Sequence, residues 1–271
     1  MLPAARVTDK TLCDHGDGTI SPPCGVSVKA GKQPAARFSD RSRCADEPDT
    51  IREGARTVLI GGLPASRSTD GTFHGGIVTG GLGSVKIGGP KITGRQESST
   101  FIAFDPEAGR MFVVSYLEYH GSGASQAYAD AAKKQIEGTW SRPTTIHGKP
   151  VDVVVRVNTS VNPTGTPTPG YDRICVVTGP IRSNQALNGG EGTQGVKDAF
   201  GPRLSAAHEY GHTLGIPDQY MDTPTGTVPD PSKTKNLEHN NMATSRPDPR
   251  GALPHPYPEH YETILERVGL P

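Results

Sequence analysis

The chain is poor in the features by which many proteins declare a partner. Aromatic residues make up only 6% of its 271 residues, with a single tryptophan, and 28 basic side chains are balanced by 28 acidic ones. A balanced charge generates no global field toward nucleic acid or an anionic membrane, so neither is expected as a partner, and binding must reside in local sites. No segment is long and apolar enough to cross a bilayer, which excludes helical membrane insertion from the expected functions. The opening MLPAARVTDKTLC lacks the basic stretch and apolar run of a secretory signal, so synthesis as a soluble cytosolic product without a signal peptide is expected. The cysteines Cys13, Cys24, Cys44 and Cys175 are too few and too scattered for a disulfide scaffold in a chain of this length, which leaves metal ligation or core packing.

What is abundant is glycine (34) and proline (25), concentrated in a pattern. Pro3-Ala4-Ala5-Arg6-x-x-Asp9, Pro34-Ala35-Ala36-Arg37-x-x-Asp40 and Pro64-Ala65-Ser66-Arg67-x-x-Asp70 align without gaps, with starts 31 and 30 residues apart. Short alternating stretches, Val26 to Val28, Val58 to Ile60 and Val85 to Ile87, read as strands bounded by glycines. Each copy holds too little apolar surface to stand alone, so the copies are expected to pack into a pseudo-threefold β-rich body. Four residues beyond each aspartate stand Cys13, Cys44 and His74, with His15 beside the first. Threefold packing would gather them at one end and offer four S/N donors to a structural zinc. The alternative is that Cys13 pairs with Cys24, or stays a buried thiol, and that the histidines are ordinary loop residues.

On these residues the segment 1–95 resembles a PAAR-repeat protein, the sharpening tip of the type VI secretion spike; the third copy departs as Pro-Ala-Ser-Arg. The resemblance implies a short β-rich cone whose base sits on the trimeric, VgrG-like spike protein and whose apex is pinned by zinc. Family members commonly use a histidine-rich ligand set, whereas this chain offers two cysteines and two histidines.

The polar stretch 96–100 reads as a linker, and the character changes after it. Phe101 to Phe104, Met111 to Leu117, Val151 to Val157 and Arg173 to Val177 read as strands. Ala124 to Glu137 reads as a packing helix with Ala127, Ala131 and Ala132 on its inner side, and Ser205 to Leu214 as a helix capped near 202–205. The expected fold of 101–271 is α+β, with long loops at 159–170, 184–196 and 222–236.

The chemistry lies in His208-Glu209-Tyr210-Gly211-His212-Thr213-Leu214-Gly215-Ile216-Pro217-Asp218. Helical i, i+4 spacing puts both imidazoles on one face, where they can share an ion. Glu209 lies beside them as a general base, Gly215 permits the left-handed turn that ends the helix, and the chain can then return Asp218 as third ligand. Two histidines and a carboxylate leave one position for water, the pattern of catalytic zinc, and such a site hydrolyses amides. Tyr220 is a candidate to orient substrate, Glu238 and His239 are alternative third ligands, and Cys175 is expected in the core. The pattern HExxHxxGxxD resembles the metzincin-like zincins, with Asp218 in place of a third histidine. That resemblance implies a methionine beneath the metal, for which Met242 stands at a suitable distance, and a backing helix over the sheet.

A spike tip followed by a zinc metallopeptidase looks like a specialised type VI effector, secreted into a target cell to cleave a protein or peptide substrate. It implies an immunity protein that protects the producer. Two other readings remain open at this level: an adaptor whose C-terminal metal is purely structural, and a hydrolase of cell-wall stem peptides.

Overall fold

The computed structural model describes residues 1–163, 165–179, 183–185, 191–200, 204–223, 226–230, 242 and 254–271. The side chains of Val26 and of the residues in the hairpin 220–229 are not described. Two compact units are present, one formed by Met1–Gln96 with Phe101–Asp105, the other by Glu97–Thr100 with Pro106–Pro271.

The first unit is built on the repeat. In each copy a short strand over the Pro-Ala pair runs antiparallel to a glycine-flanked strand: Gln33–Ala35 against Gly25–Ala30, and Leu63–Ala65 against Glu53–Ile60. The third such strand, Leu82–Ile87, pairs with Leu2–Ala4, so the start of the chain closes the ring. At the centre Ala5 N donates to Ser66 O, Ser66 N to Ala36 O and Ala36 N to Ala5 O, at 3.0, 2.8 and 2.8 Å. This cyclic triangle explains the small residue at that position of every copy, because three backbones meet there and all three residues are 0% exposed. The first alanine of each copy packs in one apolar layer with Ile60 and Ile87, and Ala5 and Ala36 pack in a second with Ile20, Ile51 and Val78.

The arginine and aspartate of each copy pair with one another: Arg6 with Asp9, Arg37 with Asp40 and Arg67 with Asp70. The intervening Thr8, Ser39 and Thr69 adopt positive φ of 67°, 66° and 74°. One motif therefore turns the chain in the same way three times, and the expected pseudo-threefold body is what the residues form.

The second unit holds a mixed sheet. Arg110–His120 runs parallel to Lys149–Val161 and, at its end, to Asp172–Val177, which runs parallel to Glu191–Gly195. Arg142–Ile146 adds an antiparallel edge on Lys149–Val161. Arg110–His120 is buried along nearly its whole length, as expected of a strand covered on both faces. Helix α1 (Gln126–Trp140) begins where Ser125 accepts a hydrogen bond from Tyr128 N, and packs on the strand Lys149–Val161. Among the described residues three further helices follow: α2 (Lys197–Phe200), α3 (Ser205–Thr213) and α4 (Pro258–Arg267).

Several expectations need correction. The stretch 96–100 is not a free linker: Arg95–Glu97 and Thr100–Asp105 are strands, and Ser99 and Thr100 are buried. Phe101–Asp105 belongs to the first unit, where the Phe101 ring lies 5.1 Å from that of Phe73 and Asp105 pairs with Arg56. The inner face of α1 is Tyr128, Ala132, Ile136 and Trp140 at four-residue spacing with Ala129; Ala127 is exposed and Ala131 half-buried. Within the expected loop 184–196, Glu191–Gly195 is a strand, and 220–229 carries a hairpin, Tyr220–Thr223 against Gly226–Pro229. Helix α4 was not expected at all.

Candidate metal centres

Helix α3 carries the first centre. The rings of His208 and His212 stand one turn apart, 5.1 Å between centroids and nearly perpendicular. The helix ends on Leu214, with Gly215 at φ +82°. Gly215 N donates to His212 O at 2.8 Å and Ile216 N to Gly211 O at 3.0 Å, the paired bonds of a Schellman stop. This reversal returns Asp218, whose Oδ1 lies 3.1 Å from His208 Nε2 and 3.3 Å from His212 Nε2. The three donor atoms all lie within 4.8 Å of one another.

The same turn supplies orientation. Ile216 O lies 2.8 Å from His212 Nδ1, so Nδ1–H donates there and Nε2 is the ring nitrogen that faces Asp218. Burial alone would lower the His212 value, but its bonds to Asp218 and Ile216 outweigh this and raise it. Burial would raise the Asp218 carboxyl, yet the hydrogen bonds from His208 and His212 hold it well below the usual carboxylate range. Glu209 behaves oppositely: burial pushes its carboxyl up, and the nearby histidines offset this only in part. Its Oε2 is buried with no hydrogen-bond partner among the described residues. A buried carboxylate oxygen left without a donor is costly in structural terms and serves best as a proton acceptor from a water.

The surroundings hold α3 in place. Met242 is fully buried, and a Cβ at Gly211 would lie 2.2 Å from Met242 Sδ, so the thioether fills the space that glycine leaves on the helix. Met242 O also accepts from Gln219 N, next to Asp218, at 3.0 Å. Leu204 precedes α3 and makes no side-chain cap, and residues 202 and 203 of the expected cap lie outside the described residues; Gln135 Oε1 on α1 accepts from Ala207 N in the first turn, and Trp140 Nε1 donates to Ala207 O. Tyr210 OH bonds Ser115, which bonds Thr100, tying the helix to the sheet through three buried hydroxyls. Helix α4 contributes Arg267, whose Nη1 donates to Leu214 O. Met242 was expected beneath the site, but the supports from Gln135, Trp140, Ser115 and Arg267 are not visible as a motif, because each reaches α3 or its stop across more than fifty residues of sequence. The side chain of Tyr220, and Glu238 and His239 altogether, lie outside the described residues. Cys175 is half-buried in the strand Asp172–Val177.

The second centre lies in the first unit, on the turns between paired strands. Lys10–Cys13 pairs with Gly16–Thr19, and Arg41–Cys44 with Glu47–Thr50. Equivalent positions of the copies bring Cys13 and Cys44 together, with Cα atoms 5.7 Å apart and the sulfurs bonded. This overturns the alternative pairing of Cys13 with Cys24, which is a buried free thiol. It also alters the expected four-donor zinc set, because bonded sulfurs are not thiolate ligands. His15 Nδ1 lies 3.5 Å from Cys44 Sγ, and the His15 and His74 rings are 5.9 Å apart. The backbone N–H of His74 is held by Asp49 Oδ1 at 3.0 Å. All four expected residues thus converge, and a fifth joins them: Glu47 Oε2 lies 3.7 Å from His74 Nδ1. Glu47 was missed because its counterpart in the first copy is Gly16, so the repeat pattern did not mark it.

Residues 14–80 match the family model of the PAAR motif. PAAR domains bind a metal and sit on the VgrG spike, so the PAAR unit supports a type VI spike-tip protein. Its Cys13, His15 and Cys44 form a group whose donor types fit that metal once the disulfide is reduced. No curated protein matches the chain. Among the described residues no helix is long and apolar enough to cross a membrane.

Proposed function

We propose that the chain is a specialised type VI effector in which the PAAR unit delivers a zincin-like metallopeptidase that hydrolyses amide bonds in a target cell. The observation that carries this reading is the convergence of His208, His212 and Asp218 beside the unpartnered Glu209 Oε2. Two imidazoles and one carboxylate fit a zinc ion with room for a further ligand, as catalytic sites require. Zinc held there would supply Lewis acidity and a water of lowered pKa.

The chain's own residues do the rest. Nδ1–H of His212, donated to Ile216 O, presents Nε2 as the donor; the Asp218 carboxyl stays ionised and keeps its oxygen available. Glu209, beside the pair and not among the three converging donors, takes a proton from the attacking water and returns it to the leaving amine. Its raised value suits the first role, since a weaker carboxylic acid is the stronger base toward the water's proton. The producer would be protected by an immunity protein that covers this cleft.

The test is zinc content per chain together with hydrolysis of casein, for the unaltered protein, Glu209→Ala and His208→Ala, all reduced. Two zinc ions in the unaltered protein, two without activity in Glu209→Ala and one in His208→Ala are expected. Equal zinc in all three with no cleavage by any would overturn the peptidase reading.

A further inference from the structure

The PAAR tip holds two overlapping donor sets that cannot both be complete. One is Cys13, His15 and Cys44, with the His74 ring 5.9 Å from that of His15; the other is His15, Glu47 and His74. The sets share His15 and differ in whether the sulfurs take part. In the structure the sulfurs are bonded to each other, which withdraws both from metal ligation and leaves the second set, made of two imidazoles and a carboxylate on exposed residues.

We infer that the Cys13–Cys44 pair is a redox switch on the tip metal: as thiolates the two sulfurs complete a tight S/N site, and as a disulfide they release the ion to the weaker His15–Glu47–His74 set. The switch rests on the PAAR unit as a metal site and is independent of the peptidase reading. The Cα separation of 5.7 Å suits a disulfide, and both cysteines stand at strand ends in the cluster that also holds His15.

The chemistry balances with a small-molecule or protein disulfide as oxidant. Cys13, half-buried, is the reachable sulfur, and Cys44, 1% exposed, is the resolving one. The Cys13 thiolate attacks the oxidant's S–S bond and expels one thiolate; Cys44 then attacks the Cys13 sulfur of the mixed disulfide and expels the second. Two electrons pass from the cysteines to the oxidant, and the zinc ion leaves with its charge unchanged. The reverse, driven by a dithiol, restores the site.

The experiment uses the full chain loaded with cobalt(II) and with zinc, reduced and oxidised, with thiols counted by mass after alkylation. Thiolate-to-cobalt charge-transfer absorption reports the tip alone, since the HExxH centre has no sulfur donor. Reduced protein is expected to show the band; oxidised protein, two alkylatable thiols fewer, is expected to lose it and to bind tip zinc on the order of 100-fold more weakly. Glu47→Gln should abolish the residual tip binding of the oxidised protein and leave the cobalt band of the reduced protein intact. Cysteines 13 and 44 that stay alkylatable after oxidation, or equal tip affinity in both states, would overturn the switch. Loss of casein cleavage has no bearing on either result.

Discussion

Gly215→Ala tests whether the helix stop and the metal site are one device. Two costs are expected. A residue with a Cβ in the left-handed region loses roughly 1–2 kcal/mol relative to glycine, and here φ is +82°. The new Cβ would also lie 0.8 Å from Arg267 Nη1, so the guanidinium must leave Leu214 O and Glu97, to which it donates. Loss of a charge-assisted hydrogen bond at a partly exposed site costs about 1.5 kcal/mol, giving a sum of about 3 kcal/mol. Arg267→Ala alone should cost about 1.5 kcal/mol by the same reasoning. In the double variant the clash disappears, so its cost should stay near 3 kcal/mol and fall short of additivity by about 1.5 kcal/mol. The assay is urea unfolding of the metal-free chain followed by fluorescence of Trp140, the one tryptophan, which packs edge-on against Tyr210 of α3. Strict additivity, or a neutral Gly215→Ala, would refute the argument that Arg267 occupies the space glycine leaves open.

Glu209→Gln should cut casein hydrolysis by about 10²–10⁴-fold while zinc content is unchanged, the size expected of a lost general base. The same substitution should stabilise the metal-free protein at neutral pH by about 1 kcal/mol, because it removes a buried, unpartnered charge; a lower melting temperature would contradict this. Asp218 carries the opposite sign. Its folded value is lowered and that of His212 raised. The carboxylate's contribution is present above its unfolded value of about 4 and is lost as pH falls toward the folded one. The His212 contribution is present below its unfolded value of about 6.5 and is lost as pH rises through the raised one. Metal-free protein should therefore gain from this contact mainly between about pH 4 and the raised His212 value, and Asp218→Asn should flatten melting temperature across that window. In the PAAR unit, Arg67→Ala should cost about 3 kcal/mol, the low end for breaking a buried pair, since fully buried Asp70 keeps only the backbone N–H of residue 67 and Lys91 Nζ at 3.7 Å. Arg6→Ala should cost about 1 kcal/mol, because its arginine is 22% exposed. Equal losses in urea unfolding would show that burial does not set the difference.

Repetition and helical spacing were the two patterns readable before any coordinates. Copies offset by 31 and 30 residues place Cys13, Cys44 and His74 at equivalent positions, so any threefold packing must gather them, and the spacing of His208 and His212 puts them on one face of whatever helix forms. Gly215 was readable as a stop for a local reason, since a helix end needs its left-handed residue within the same few positions. By contrast, the bond between Cys13 and Cys44, the arrival of Glu47 beside His74, the support of Ala207 by Gln135 and Trp140, and the seat of Arg267 over Gly215 depend on side chains meeting across turns or helices distant in sequence. The placement of Phe101–Asp105 with the first unit was equally hidden, because a buried strand looks alike whichever core it joins. Short-range periodicity determined which residues could cooperate; long-range packing, driven by burial that has no sequence period, decided which atoms they were given as partners.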